Sequence, residues 1–168
     1  MTVRVVLVGL PGVGKSTVGR ALAEALDVPF VDVDDVVAEL AGQSAASLLR
    51  TEGETVFREA EVRALASALD RDGGLVVATG GGAVETAASR ARLDAEPAVV
   101  LLVAPAPVLL ARLADGDRPL LASPSTDRLA ELEVRRAPLY AEVADAVVDA
   151  TGEVGDVVAR VSAAVRRP

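Results

Sequence analysis

The run Gly9-Leu10-Pro11-Gly12-Val13-Gly14-Lys15-Ser16 constrains this chain more than any other segment. An apolar, β-branched stretch from Val3 to Val8 leads into it, and a helical pattern with Val18, Leu22 and Leu26 on one face follows it. A strand, then G-x-x-x-x-G-K-S, then a helix is the arrangement in which backbone wraps a phosphate. Glycines allow close approach, successive N–H groups turn inward, and the helix presents the positive end of its dipole. Lys15 is placed to reach β- and γ-phosphate oxygens, and Ser16 to ligate Mg²⁺. With Gly12, Val13, Gly14 and Thr17 they form a candidate nucleoside triphosphate site. The bland alternative is a glycine-rich turn with no ligand. Against it, Lys15 is the single lysine among 17 basic residues, and a forked guanidinium is a poor substitute for that compact charge.

Beyond the loop, short apolar runs alternate with helical patterns, the rhythm of βαβ units around a mostly parallel sheet. Strands are expected at Val3–Val8, Phe30–Asp32, Leu75–Ala78, Val99–Val103 and Ala146–Asp149. Helices are expected over Asp35–Ala41, Ala45–Arg50 and Glu54–Leu69, divided by Gly42 and Gly53. A closing helix carries Val154, Val157, Val158, Val161 and Val165 on one stripe. The expectation is one domain over residues 1–168, a three-layer α/β/α fold with a five-stranded sheet. Asp115–Asp127 is dense in Gly, Pro, Ser and Asp and is read as a mobile loop, with a lid at about 112–125.

The absence of His and Cys excludes the common zinc sites, the Ser–His–Asp and Cys–His nucleophiles, and disulfides. Proton transfer is left to carboxylates, Lys15, hydroxyls and Tyr140. A net charge of −8 disfavours nucleic acid. Only Phe30, Phe57 and Tyr140 could stack on bases. No stretch reads as a signal peptide or membrane span: the apolar run Ala98–Ala111 is broken by Pro105 and Pro107. A monomeric cytoplasmic protein without nucleic acid or membrane partners is expected.

Asp32-Val33-Asp34-Asp35 closes the second strand, at the sheet end where ligands bind in open α/β folds. Asp32 and Asp34 share strand parity and are expected to face one cleft, one serving the Mg²⁺ hydration shell, the other an acceptor hydroxyl. Asp35 is expected to cap the next helix instead. Asp32-x-Asp34 followed by Gly53-Glu54-x-x-Phe57-Arg58-x-x-Glu61 resembles the substrate segment, here about residues 33–61, of shikimate kinases. Thr79-Gly80-Gly81-Gly82-Ala83 resembles that family's second nucleotide motif, Arg118-Pro119-Leu120-Leu121 its lid, and Arg135-Arg136-Ala137-Pro138-Leu139-Tyr140 its second substrate arginine.

The resemblance implies a phosphate-loop kinase fold, related to nucleoside monophosphate kinases, that transfers the ATP γ-phosphoryl group to the 3-hydroxyl of shikimate with Mg²⁺. Asp34 would then orient the acceptor hydroxyl, and Asp32 would support the metal's waters beside Ser16. Arg58 and Arg136 would clamp the substrate carboxylate, and the backbone of Gly80, Gly81 and Gly82 would contact the substrate. Arg118 would stabilise the transferring phosphoryl, and Arg112 resembles an arginine that stacks on adenine. Residue chemistry agrees: a planar carboxylate is best fixed by forked guanidinium groups, and Glu61, one turn after Arg58, is spaced to steady that fork. Two departures stand out. Leu48-Leu49 replaces a frequent pocket aromatic, and Ala150-Thr151-Gly152-Glu153-Val154 replaces a basic, Pro-containing adenine loop. A kinase for a sugar acid such as gluconate, a nucleoside monophosphate kinase and a non-catalytic nucleotide-binding regulator remain the competing readings.

Overall fold

The computed structural model describes residues 3–114 and 125–165. Five strands, β1 (Arg4–Gly9), β2 (Phe30–Asp32), β3 (Leu75–Ala78), β4 (Val99–Val103) and β5 (Ala146–Asp149), form one parallel sheet ordered β2-β3-β1-β4-β5. Among the described residues seven helices flank it: α1 (Lys15–Leu26), α2 (Val33–Ala41), α3 (Ala45–Leu69), α4 (Ala87–Asp94), α5 (Ala106–Leu113), α6 (Thr126–Val143) and α7 (Val154–Val165). This is the three-layer fold that the alternation predicts.

The central strand explains the rest. Val5, Val6, Leu7 and Val8 are all buried, as both faces of a parallel strand must be when helices cover them. β1 pairs with β3 through Val6↔Val77 and with β4 through Leu7↔Val100. The chain order reverses across β1, so its carboxyl end opens into the crevice where open α/β sheets bind ligands. The phosphate loop leaves from that end. α1 packs on α7, β3 and β1, while α3 contacts α2 and α4, and α4 contacts α6. Val18 and Leu22 of α1 are buried and Leu26 packs against the core, the stripe that the four-residue spacing gives.

Two local expectations are corrected. α2 begins at Val33, not Asp35, because the Asp32 carboxylate accepts from the Asp34 amide at 3.0 Å and caps the helix there. Asp35 therefore does not cap. It lies in the first turn, on the surface, 3.9 Å from Arg20. Pro138 lies inside α6 without ending it: the helix runs on to Val143. The carbonyl that loses its amide partner is that of Val134, a residue 77% exposed. Gly53, with φ 85° and ψ 174°, does divide α3 into two helical stretches, as expected.

Candidate active site

Gly14 caps α1 at φ 101°, a left-handed conformation that brings the loop round onto the helix N-terminus. Lys15 is 8% exposed and donates to the carbonyls of Gly9 at 2.8 Å and Leu10 at 3.1 Å, so its ammonium is held inside the loop's curl. Ser16 Oγ donates to Asp32 Oδ2 at 2.5 Å. With its proton turned to Asp32, the hydroxyl keeps lone pairs for a hard cation, and the neighbouring carboxylate suits the waters of one. Among the described residues no cluster of three metal-ligating side chains exists.

These residues line a cleft of about 310 Å³ that also includes Gly12, Val13, Thr17 and Arg112. Arg112 donates to the carbonyls of Val13 at 2.9 Å and Ala150 at 3.0 Å, which lays its guanidinium across the cleft's far end. Ala150, Gly152 and Val154 complete that end with backbone and small side chains. A second cleft of about 500 Å³ adjoins the first and contains Arg58, Glu61, Gly82 and Arg136. Asp34, Gly80 and Gly81 line both clefts and so mark their junction. Asp32 and Asp34 thus reach a common cleft, although by another route than strand parity: Asp32 ends β2, and Asp34 stands in the first turn of α2.

The second cleft is built on charge pairs with α3 and α6. Arg58 donates to Glu61 Oε2 at 2.7 Å, and Glu61 is only 2% exposed. Burial pushes the Glu61 carboxyl above its ordinary pKa of 4.5, against the opposing pull of Arg58. Its Oε1 is buried without a hydrogen-bond partner among the described residues. Arg136, also 2% exposed, donates from Nε to Glu85 Oε1 at 2.7 Å and from Nη1 to the Gly81 carbonyl at 2.7 Å. Tyr140 donates to the same carbonyl at 3.1 Å, and burial pushes its pKa up from 10.0 to about 12.

The glycine run is crowded from several sides. A Cβ on Gly80 would stand 2.3 Å from Glu61 Oε1, one on Gly81 2.9 Å from Pro11 Cγ, and one on Gly82 2.0 Å from Arg58 Nη1. Glycine is needed here because the protein's own side chains close in, in addition to any ligand. The turn is the wedge between the phosphate loop and the arginine cleft.

Every site residue expected from sequence is thereby located except Arg118, which lies outside the described residues with the lid stretch 115–124. Arg112 lies in the last turn of α5, and Ser125 caps α6 by accepting from the Arg128 amide at 3.2 Å. Sequence reasoning missed Glu85, and it missed Arg128, Glu131 and Leu132 on the cleft wall. The Arg128, Leu132, Arg135 spacing after a serine cap was the available signal for the α6 face. Nothing local marks Glu85, whose partners lie some fifty residues away in α6.

A phosphate loop opening into one cleft, with an acidic and glycine-lined junction to a cationic second cleft, defines a small-molecule kinase of the phosphate-loop class. A family model for shikimate kinase matches residues 11–166. The shikimate kinase of Halorhodospira halophila is 47% identical over 151 residues, 89% of this chain and 85% of that protein. That of Aromatoleum aromaticum is 42% identical over 165 residues, 96% of this chain and 94% of that protein. Among solved structures, the shikimate kinase of Acinetobacter baumannii in complex with shikimate superposes with a TM-score of 0.89 at 36% identity, covering 96% of this chain and 92% of that one. The chain belongs to the shikimate kinase family. A gluconokinase from Sinorhizobium meliloti, at 22% identity and a TM-score of 0.66, shares the fold alone.

Proposed function

We propose that this chain transfers the γ-phosphoryl group of ATP to the 3-hydroxyl of shikimate. The observation that carries the reading is the shared boundary of the two clefts: Asp34, Gly80 and Gly81 stand between the phosphate loop and the paired arginines. In-line transfer needs donor and acceptor on either side of one point, and catalysis then consists largely of positioning and charge stabilisation.

Arg58 and Arg136 bind the substrate carboxylate, each oriented by an anionic partner already in place. That leaves the acceptor hydroxyl to Asp34, which accepts its proton as the new P–O bond forms. Lys15 holds β- and γ-phosphate oxygens and neutralises charge as the ADP leaves. Arg112 supports the nucleobase by stacking, with Ala150 and Gly152 beside it. Ser16 and Asp32 would hold Mg²⁺, whose charge offsets that of the phosphates when bound. Arg118 is assigned charge stabilisation at the transferring group on its motif, and 112–125 the part of a lid that excludes water. A monomeric enzyme working in the cytoplasm, where ATP is supplied, completes the proposal. Among the described residues no helix is long and apolar enough to cross a membrane.

A coupled ADP-release assay over shikimate, gluconate and nucleoside monophosphates tests the reading. Turnover is expected with shikimate and Mg-ATP only. Turnover with gluconate and none with shikimate contradicts the substrate assignment, and ATP binding without any acceptor favours a regulator.

A further inference from the structure

The two clamp arginines are supported differently. Arg58 takes its carboxylate, Glu61, from the next turn of the same helix. Arg136 takes its own from outside α6, from Glu85, which follows the glycine run by three residues. Glu85 Oε1 accepts from Arg136 Nε at 2.7 Å and from Arg135 Nη2 at 2.8 Å. The turn that carries Glu85 also offers the Gly81 carbonyl to Arg136 Nη1 at 2.7 Å. One guanidinium is therefore pinned at two nitrogens by one turn, and neither contact uses Nη2. A planar group held at two points has its plane and rotation set before any ligand arrives, and this lowers the entropy lost on binding.

We propose that Glu85 is a positioning residue for substrate recognition: it orients Arg136, so that the second arm of the carboxylate clamp is pre-formed and in register with the glycine turn facing the substrate. The proposal rests on the shikimate reading above and deepens it. Burial by itself would raise the Glu85 pKa, yet the hydrogen bonds and charges of Arg136 and Arg135 together bring it below 4.5, so the group stays anionic at neutral pH. The turn does not depend on Glu85 for its own shape. The Val84 carbonyl accepts from Arg90 at 2.8 Å, Arg90 pairs with Glu142 of α6 at 2.6 Å, and Tyr140 holds Gly81. Loss of Glu85 should thus free Arg136 and leave the fold standing.

The test compares shikimate with its methyl ester, which keeps the hydroxyls and lacks the carboxylate charge. In Glu85→Ala, KM for shikimate is expected to rise roughly tenfold, the size of losing one charge-assisted hydrogen bond. Turnover number and KM for ATP should stay within about twofold, and the ester should be affected little. The preference for acid over ester then falls by the same roughly tenfold factor. Glu85→Gln, which keeps an acceptor for Nε, should restore KM to within about threefold of the parent. If Glu85→Ala does not fold, Glu85→Asp withdraws the oxygen by one methylene and should raise KM about threefold with the same acid-to-ester signature. An unchanged KM, an equal loss for acid and ester, or a fall in turnover at constant KM overturns the positioning role. An unmodified chain that turns over neither compound overturns the substrate reading itself, a result separate from any variant.

Discussion

Gly82→Ala is the substitution whose consequence can be worked most closely from the geometry. The added methyl would lie 2.0 Å from Arg58 Nη1, 2.5 Å from Cζ and 2.6 Å from Nη2. To reach ordinary contact at 3.4 Å the guanidinium must retreat by about 1.4 Å. Gly82 does not use the left-handed region, so alanine suits its backbone, and the three closest clashes all fall on Arg58. A retreat of that size takes the 2.7 Å bond to Glu61 outside hydrogen-bonding range unless Glu61 follows. It also moves the fork away from the substrate carboxylate. One charge-assisted hydrogen bond is worth about 1.5–3 kcal/mol, which converts to a rise in KM for shikimate of roughly 10- to 100-fold. Folding stability should fall by about 1–3 kcal/mol, since Glu61 is left buried with its partner displaced. KM for ATP should hold, because the phosphate loop lies across the junction. Steady-state kinetics with either substrate varied, and urea denaturation of the same samples, give all three numbers. In an Arg58→Ala background Gly82→Ala should change KM by less than about twofold, because the two act through one group. A folded Gly82→Ala enzyme with unaltered KM for shikimate, or equal losses in both backgrounds, refutes the clamp geometry.

Other consequences follow from the same site. Tyr140 is the only tyrosine and the chain has no tryptophan, so its near-ultraviolet absorbance titration reports one group; the midpoint should lie at about 12, and one near 10.0 contradicts the burial of its hydroxyl. The folded pKa is raised, so this contribution to stability is complete below pH 10.0 and is lost as pH climbs through about 12, which base denaturation of Tyr140→Phe should show by its smaller dependence in that window. Lys15→Met and Asp34→Asn should each lower turnover by orders of magnitude with the circular dichroism spectrum kept, and calorimetry should find ATP binding weakened in the first and preserved in the second. Substantial turnover in Asp34→Asn removes that carboxylate from the proton's path.

Much of this architecture is legible because it is local. A phosphate loop carries its own glycines and lysine, and buried parallel strands announce themselves as β-branched runs such as Val99–Val103. Gly53 breaks α3 through its own backbone preference. Arg58 and Glu61, one turn apart, pair as helical spacing dictates. What sequence hides is set by contacts distant along the chain. Asp34 looks like part of a strand until Asp32, engaged with Ser16, is seen to start the helix at Val33, two residues before the expected Asp35. Pro138 has the chemistry of a helix breaker, but α6 continues through it to Val143. Three glycines suggest room for a ligand, whereas the room is taken partly by Glu61, Pro11 and Arg58. Glu85 is an unremarked acid in the sequence and acquires its role only when the turn after β3 meets α6.

The central claim is that phosphoryl passes across the junction at Asp34 to a sugar-like ring hydroxyl and not to water. Phosphorus NMR of a reaction run to completion with ATP, Mg²⁺ and excess shikimate tests it most directly. One ADP for each shikimate monophosphate, with the new phosphorus signal coupled to the ring proton at the 3-position, is the predicted result. ADP accompanied by inorganic phosphate alone, or phosphate carried on a different hydroxyl, contradicts it.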